Sequence, residues 1–159
     1  MPLIVEATSS IVRPDDVTPY SIGDLIANST VAGSVEPLIF DLEVQFSSQC
    51  FIRRARFMSS IESLTNAEYK LHLFTKRPTV VNGDNGALST TKAGYIGSMD
   101  VVLDQVFSDG SFGVALPTVG SELNFISEGT KLYGLLEASA AQVPEAESTI
   151  GITLEIHRY

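Results

Sequence analysis

Alternation of apolar and polar residues with a period of two is the feature of this sequence that most restricts its fold. From Thr149 to His157, apolar residues occupy every second position and Gly, Thr, Glu and His occupy the others. The segment from Phe40 to Phe46 alternates in the same way, with Asp, Glu and Gln between its apolar residues. Because successive side chains of a β-strand point to opposite faces of its sheet, both segments are predicted to be strands with one buried face.

Further segments rich in β-branched and aromatic residues follow one another too closely for helices between them. The predicted strands are Ile11–Arg13, Leu38–Phe46, Cys50–Met58, Tyr69–Phe74, Tyr95–Leu103, Ser111–Leu116, Lys131–Ala138 and Thr149–His157. About eight strands joined by turns rich in Gly, Pro, Asn, Asp and Ser predict an all-β, antiparallel sandwich that is jelly-roll-like. The short connection over residues 47–49 predicts a hairpin between the second and third of these strands.

Two segments, Pro14–Glu36 and Thr75–Ala93, are predicted to be long loops. Long loops in a compact β domain are where partner contacts usually lie. We therefore divide the chain into an extended N-terminal arm and loop, residues 1–36, and a β-sandwich domain, residues 37–159. An extended arm can add a strand to the sheet edge of a neighbouring subunit.

Charge and composition restrict the partners. The formal net charge of −9 opposes binding to nucleic acid and to anionic membranes, because affinity for phosphate groups requires clustered Lys and Arg. The apolar fraction of 44% is typical of a soluble globular domain. No run of about 18 apolar residues occurs, so we expect no membrane span.

The expected compartment follows from Cys50 and from the N-terminus. Cys50 is the only cysteine, so a disulfide within the chain is impossible and a reducing compartment is favoured. The first residues lack the basic segment and the stretch of about 7 to 15 apolar residues that mark a signal peptide. We expect assembly in the cytoplasm.

Candidate catalytic residues are few, and we expect no enzyme activity. The two histidines, His72 and His157, both fall in predicted strands, and no serine lies in a Gly-x-Ser-x-Gly elbow. The period-two rule predicts that His72 is at least partly solvated. With 19 acidic residues, carboxylate pairs such as Asp100 and Asp104 arise in any case, and they leave a glycosidase-like acid and base open.

Glycine-rich segments are predicted to form turns and not cofactor or metal sites. The loop Asn82–Gly86 lacks the ligand spacing of a calcium loop, and its Asn-Gly pairs favour positive φ, with Asp84 as a local cap. The segments Gly94–Gly97 and Asp109–Gly113 match no phosphate-binding motif and predict a bulge and a hairpin turn.

Three of the ten Lys and Arg residues, Arg53, Arg54 and Arg56, fall within four positions of one predicted strand. Alternation places Arg54 and Arg56 on one face and Arg53 on the other. One interpretation is cross-strand pairing with Asp41 or Glu43. The other is a patch that binds acidic side chains of a neighbouring subunit, because guanidinium groups suit carboxylates.

A series of short motifs resembles small virion proteins of tailed bacteriophages. The motifs are Tyr20-Ser21-Ile22-Gly23-Asp24-Leu25-Ile26-Ala27-Asn28, the arginine-containing strand, Leu71-His72-Leu73-Phe74, Gly83-Asp84-Asn85, Tyr95-Ile96-Gly97 and Leu132-Tyr133-Gly134-Leu135-Leu136. The resemblance implies a decoration, or cement, protein: a non-enzymatic β-domain that binds the outer surface of a capsid and ties capsomers together. It implies two partners, the major capsid protein and copies of the chain itself as a dimer or trimer, and a place on the virion after assembly in the host cytoplasm.

On this hypothesis the expected partner contacts are Arg53, Arg54 and Arg56 in the arginine strand and Arg13 and Tyr20 in the arm. A phage tail or adaptor component is one alternative. A carbohydrate-binding, lectin-like β-sandwich is another, although it would use exposed aromatic residues as stacking platforms. The sequence has no Trp, and several of its five Tyr fall at positions predicted to face a core.

Overall fold

The computed structural model describes residues 3–62 and 67–159, and its strand pairings are antiparallel. The strands are β1 (Leu3–Val12), β2 (Leu25–Ile26), β3 (Leu38–Asp41), β4 (Cys50–Ser59), β5 (Ala67–Phe74), β6 (Tyr95–Leu103), β7 (Gln105–Phe107), β8 (Gly110–Pro117), β9 (Asn124–Phe125), β10 (Lys131–Ala138) and β11 (Thr149–Arg158). A short 3-10 turn, Ala32–Ser34, lies between β2 and β3. The predicted all-β fold is confirmed. The short strands β2, β7 and β9 are additions that the sequence pattern does not predict.

The strands form one curled sheet with the order β1-β11-β4-β8-β6-β5-β10-β2. Off this path, β3 pairs with β10, β7 pairs with β8, and β9 pairs with β4. Strand β8 joins the two halves, since its first part pairs with β4 and its end pairs with β6. We call β1, β11, β4, β8, β7 and β9 the first layer, and β6, β5, β10, β3 and β2 the second layer.

The inner faces of the two layers share one continuous apolar core, as a sandwich requires. Its members include Ala55, Phe57, Ile152 and Leu154 from the first layer and Phe40, Leu71, Met99 and Leu132 from the second. Each of the Leu, Ile, Phe and Met side chains among them contributes about 1.5–3 kcal/mol when it is fully buried. The sandwich-like, jelly-roll-like arrangement predicted from the alternation is therefore the observed one.

The N-terminal segment differs from the predicted extended arm. Leu3–Val12 is a strand that pairs with β11 along its whole length, and its residues Ala7 and Ile11 lie in the core. Tyr20 and Ile26, from the rest of the predicted arm, belong to the same core cluster. The prediction of an arm is wrong for residues 3–12, because the alternation of this segment matches a sheet edge of its own chain. Residues 1–2 lie outside the described residues.

The predicted hairpin between residues 38–46 and 50–58 is also wrong. Strand β3 pairs with β10, whereas β4 pairs with β11 and β8. The chain leaves the sheet after Asp41, whose carboxylate accepts a hydrogen bond from the backbone N–H of Glu43 at 2.8 Å. Glu43 has a φ of 63°, which a strand cannot contain. Val44 is consequently 53% exposed despite its place in the alternating pattern.

The predicted bulge at Gly94–Gly97 and the predicted hairpin turn at Asp109–Gly113 are confirmed. The register of β5 against β6 shifts between Leu73 and Phe74, which face Gly97 and Tyr95, so Ile96 is the additional residue of a bulge. A tight turn at residues 108–109 joins β7 to β8 in a hairpin. The hairpin and the end of β6 form one side of an exposed apolar surface.

Candidate functional site

Arg13 and Asp84 form a buried ion pair beneath the long loops. Arg13 Nη2 lies 3.0 Å from Asp84 Oδ2, and the two side chains are 1% and 0% exposed. Arg13 Nη1 donates to the backbone carbonyl of Glu145 at 2.8 Å and to that of Asp16 at 3.3 Å. Because a charge left unpaired in the interior is costly, removal of one partner of such a pair typically destabilises a protein by about 3–5 kcal/mol.

Tyr20 completes this network. Its hydroxyl donates to Asp84 Oδ1 at 2.6 Å and accepts a hydrogen bond from Arg13 Nε at 2.5 Å. The Arg13 guanidinium also lies over the Tyr20 ring, 4.9 Å from its centroid. Burial, followed by the neighbouring Asp84 carboxylate, raises the pKa of Tyr20 far above its ordinary value. The phenol therefore remains a hydrogen-bond donor at physiological pH.

Asp84 connects the two long loops of the chain. Its Oδ1 accepts a hydrogen bond from the backbone N–H of Ala27 at 2.8 Å, and its own N–H donates to the carbonyl of Ser29 at 2.7 Å. These contacts hold the loop before β3 against the loop between β5 and β6. Both loops cover the outer face of the second layer, where a second apolar cluster contains Leu25, Ala27, Phe74 and Leu135.

The prediction that Arg13 and Tyr20 contact a partner is wrong. Each residue is only 2% exposed, and its polar groups make hydrogen bonds within the chain, so neither side chain can reach a partner. Asp84, predicted as a local cap, is the residue of this network that the sequence reasoning missed. The turn itself is confirmed, since Asn85 has a φ of 66°. A separation of 71 residues between Arg13 and Asp84 leaves no local signal that could pair them.

The arginine strand β4 contains a bulge that changes the predicted orientation of its side chains. Glu155 of β11 faces Arg54, the next residue Ile156 faces Ile52, and Arg53 is left as the additional residue. Between the buried residues Ile52 and Ala55, both Arg53 and Arg54 are exposed. The predicted placement of Arg53 on the opposite face is therefore wrong, because strict alternation fails at the bulge.

Two of the three arginines make ion pairs within the chain. Arg54 Nε donates to Glu155 at 2.8 Å, and Arg56 Nη2 donates across β11 to Glu6 of β1 at 2.7 Å. Hydrogen bonds from Arg54 and then from His157 lower the pKa of the Glu155 carboxyl. The predicted partners, Asp41 and Glu43, are not the ones used. Within residues 3–62 and 67–159, Arg53 is exposed and has no ion-pair partner.

Beside the arginines, the outer surface of the first layer and of the adjoining strand β6 carries a group of exposed apolar side chains around the half-buried Phe112. We call these residues the apolar face: Met58, Val102, Phe107, Phe112, Val114 and Leu116. Met58 is 63% exposed, Leu116 is 59% exposed and Phe107 is 55% exposed. Two shallow depressions of about 640 and 560 Å³ lie on this face, and Phe112 lines both of them. The side chains therefore form one continuous surface and are not scattered exposures.

Opposite charges lie on the two sides of the apolar face. On the β4 side, Arg56 is paired with Val114 of β8 in the sheet register, and Arg54 precedes it on the strand. On the other side, Asp100 of β6 is paired with Leu116. Asp100 and Asp104 both line the depression of about 560 Å³. From β4 across β8 to β6, the outward side chains are therefore basic, then apolar, then acidic.

A second surface site lies on the outer face of the second layer. His72 Nε2 is 2.5 Å from Glu137 Oε2, and His72 Nδ1 is 3.1 Å from the hydroxyl of Tyr95. Tyr95 is 45% exposed and lines a depression of about 440 Å³ together with Phe74 and Lys92. The partial solvation predicted for His72 is observed. The arrangement presents an aromatic ring beside a fixed polar pair.

In the described part of the chain, no group of three or more His, Cys, Asp or Glu side chains is placed to hold a metal ion. No helix within these residues has the length and apolar character needed to cross a bilayer. Cys50 is buried, and burial raises the pKa of its thiol.

Comparisons with known proteins show weak structural likenesses. One is to the N-terminal endo-1,4-β-D-xylanase 10B of Clostridium thermocellum, in its CBM22-1 and GH10 modules complexed with xylohexaose, with 8% identity and a TM-score of 0.34 over 96% of this chain and 26% of that one. A second is to the decameric BFDV capsid protein, with 11% identity and a TM-score of 0.31 over 100% and 99% of the two chains. A third is to sacbrood virus of honeybee, with 9% identity and a TM-score of 0.32 over 99% and 72%.

This chain thus spans about a quarter of the xylanase chain. The weak structural neighbours include viral capsid proteins and a chain with a carbohydrate-binding module, but scores this low support no inference about function. No family model matches the chain, and no curated protein matches it.

Proposed function

We propose that this chain is a non-enzymatic structural protein of a virion, a decoration protein that binds the outer surface of a phage capsid. Its partners are the major capsid protein and copies of itself, and its binding to the shell depends on the apolar face and the flanking arginines. The short sequence motifs that resemble tailed-phage virion proteins support this proposal. The all-β sandwich is compatible with it.

The exposed apolar face is the observation that carries the proposal. A soluble protein rarely leaves a continuous apolar surface open unless another protein or a ligand covers it. Aromatic residues, Met and Arg are enriched at protein interfaces, and Phe107, Phe112, Met58 and Arg54 are among the residues on or beside this face. Burial of such side chains in a contact contributes about 25 cal/mol per Å² of apolar area.

The test is co-sedimentation with capsid shells assembled from the major capsid protein of the phage that encodes this chain. We expect the wild-type protein to sediment with the shells and Leu116→Glu to remain in the supernatant. Val143→Glu is the matched control, because Val143 lies outside the apolar face and is 60% exposed, as against 59% for Leu116. Circular dichroism of both variants checks that the fold is kept.

Failure of the wild-type protein to bind these shells rejects the decoration role. Binding to purified tails instead would indicate the tail or adaptor alternative. Equal binding by Leu116→Glu and the wild type would show that binding to the shell does not depend on the apolar face, and would remove the observation that carries the proposal.

A carbohydrate-binding role is the second candidate, and the exposed ring of Tyr95 favours it. The ring borders a depression, with the His72–Glu137 pair beside it and Lys92 on its rim. Rings of this kind can stack on apolar sugar faces while neighbouring polar groups bind hydroxyls. Binding to a glycan array that Tyr95→Ala abolishes, with Tyr159→Ala as an exposed control, would support this candidate.

A further inference from the structure

We infer that the apolar face is covered by the same face of a second copy of this chain, related by a two-fold axis that runs along β8. The inference takes up the surface on which the proposed function rests and names its occupant. It depends on the arrangement of charge around the face and not on a capsid.

The apolar face is flanked by opposite charges at the same level of the sheet. Asp100 is paired with Leu116. On the other side of β8, Arg54 immediately precedes Ala55, which is paired with Ala115. Arg54 and Asp100 therefore flank Leu116 on its two sides, about two strand spacings apart.

This order is self-complementary under one symmetry operation. A two-fold axis that lies in the interface and runs along β8 exchanges the β4 side for the β6 side, but keeps each position along the strands. Arg54 of each copy then lies opposite Asp100 of the other, and the apolar strip of one copy lies on that of the other. The contact is made twice, as an isologous interface requires.

The groups that this contact needs are accessible. The side chains of Arg54 and Asp100 are 50% and 52% exposed. Asp100 has one weak partner within the chain, Lys70, at 3.8 Å. Arg54 already binds Glu155 through Nε, which leaves the outer nitrogens of its guanidinium for a second carboxylate.

Charge complementarity favours a second copy over a different protein. The chain carries a net charge of −9, so two copies repel each other in most orientations. The proposed axis is an orientation in which each copy presents Arg54 to Asp100 of the other. The order of basic, apolar and acidic side chains is its own complement under this axis, so a second copy supplies the matching surface.

Sedimentation velocity of the full chain over a range of concentrations tests the apolar part of the contact. We expect a dimer for the wild type, a monomer for Leu116→Glu and a dimer for the control Val143→Glu. A wild-type protein that stays monomeric up to the highest concentration overturns the inference. A dimer that Leu116→Glu leaves unchanged overturns it as well.

Charge reversal tests the orientation without changing the apolar side chains. Arg54→Asp and Asp100→Arg should each weaken dimerisation by about tenfold or more, because each places like charges opposite one another twice. The double variant with both changes should recover most of the wild-type affinity. A double variant that dimerises no better than the two single variants rules out this axis. Circular dichroism confirms that each variant is folded.

The outcomes separate this inference from the proposed function. A wild-type dimer that ignores capsid shells keeps the inference and rejects the decoration role. A monomer that binds shells through Leu116 assigns the apolar face to the capsid protein and rejects the inference.

Discussion

Arg13 and Asp84 lie 71 residues apart and form an ion pair of 3.0 Å whose side chains are almost completely removed from solvent. The pair fastens the segment after β1 to the loop between β5 and β6, and Tyr20 closes the network between them. These groups are satisfied within the chain. The network therefore leaves no polar group for a partner, in contrast to the apolar face and the charges that flank it.

Replacement of Asp84 should destabilise the protein strongly. Asp84→Ala leaves the Arg13 guanidinium buried without a counter-charge and removes the acceptor of the Tyr20 hydroxyl and of the Ala27 N–H. We expect the free energy of unfolding in urea to fall by about 3–5 kcal/mol. Asp109→Ala, at an exposed turn, is the control and should change it by less than about 0.5 kcal/mol. A loss for Asp84→Ala as small as that of the control would contradict the role assigned to the network.

Two buried tyrosines should make stability fall at alkaline pH. Burial raises the pKa of Tyr69 to about 12 and raises that of Tyr20 as well, by burial and the Asp84 carboxylate. Above pH 10, the ordinary pKa of a tyrosine phenol, the unfolded chain releases these phenolic protons while the folded chain keeps them. The unfolded state then binds fewer protons, so the stabilisation present below pH 10 is lost as the pH rises.

The measurement is the free energy of unfolding between pH 10 and about pH 12. Each of the two tyrosines should contribute a decrease of up to about 1.4 kcal/mol per pH unit. Tyr69→Phe should have a shallower pH dependence than the wild type, and Tyr20→Phe should behave in the same way. If both variants keep the wild-type slope, the two phenols are not the groups responsible.

The alternation of apolar residues predicted most of the fold because period-two patterns report burial directly. The strands at Tyr95–Leu103 and Lys131–Ala138 have the predicted bounds. Alternation failed where backbone geometry interrupted it. Glu43 adopts a positive φ that ends the predicted strand over residues 38–46, and the bulge at Arg53 reverses the orientation of one side chain. Neither interruption has a signature in its residue types, since both positions hold ordinary charged residues.

The candidate surface was only partly predictable. The arginine strand stood out because three basic residues are close together in an acidic chain. The acidic side of the apolar face depends on the pairing of β8 with β6, which brings Asp100 beside Leu116. Local pattern sets which residues point outward, but the strand order decides which of them become neighbours. The burial of Arg13 was likewise not predictable from local pattern, because its partner Asp84 lies in a loop that is distant in the sequence.

The ion pairs of Arg54 and Arg56 should contribute little to stability. Both guanidinium groups are partly solvated, at 50% and 38% exposure, and pairs of this kind are typically worth no more than about 1 kcal/mol each. The double variant Arg54→Glu with Arg56→Glu should therefore keep its circular dichroism spectrum but lose assembly in sedimentation. An unfolded double variant would instead assign these arginines a mainly structural role, which the partial exposure of their pairs argues against.

Gly110 begins β8 at the base of the apolar face, and its substitution should disrupt the β7–β8 hairpin. It has a φ of 152°, and a Cβ at this position would lie 2.0 Å from the backbone carbonyl oxygen of Ser59 on β4. Because a backbone atom of a paired strand cannot move aside, Gly110→Ala should lower the free energy of unfolding by at least about 2 kcal/mol. Gly129→Ala is the matched control, since nothing lies within 4 Å of its Cβ position and its effect should be small. Urea denaturation of the two variants measures the difference, and equal stabilities would show that β4 and β8 can separate here without cost.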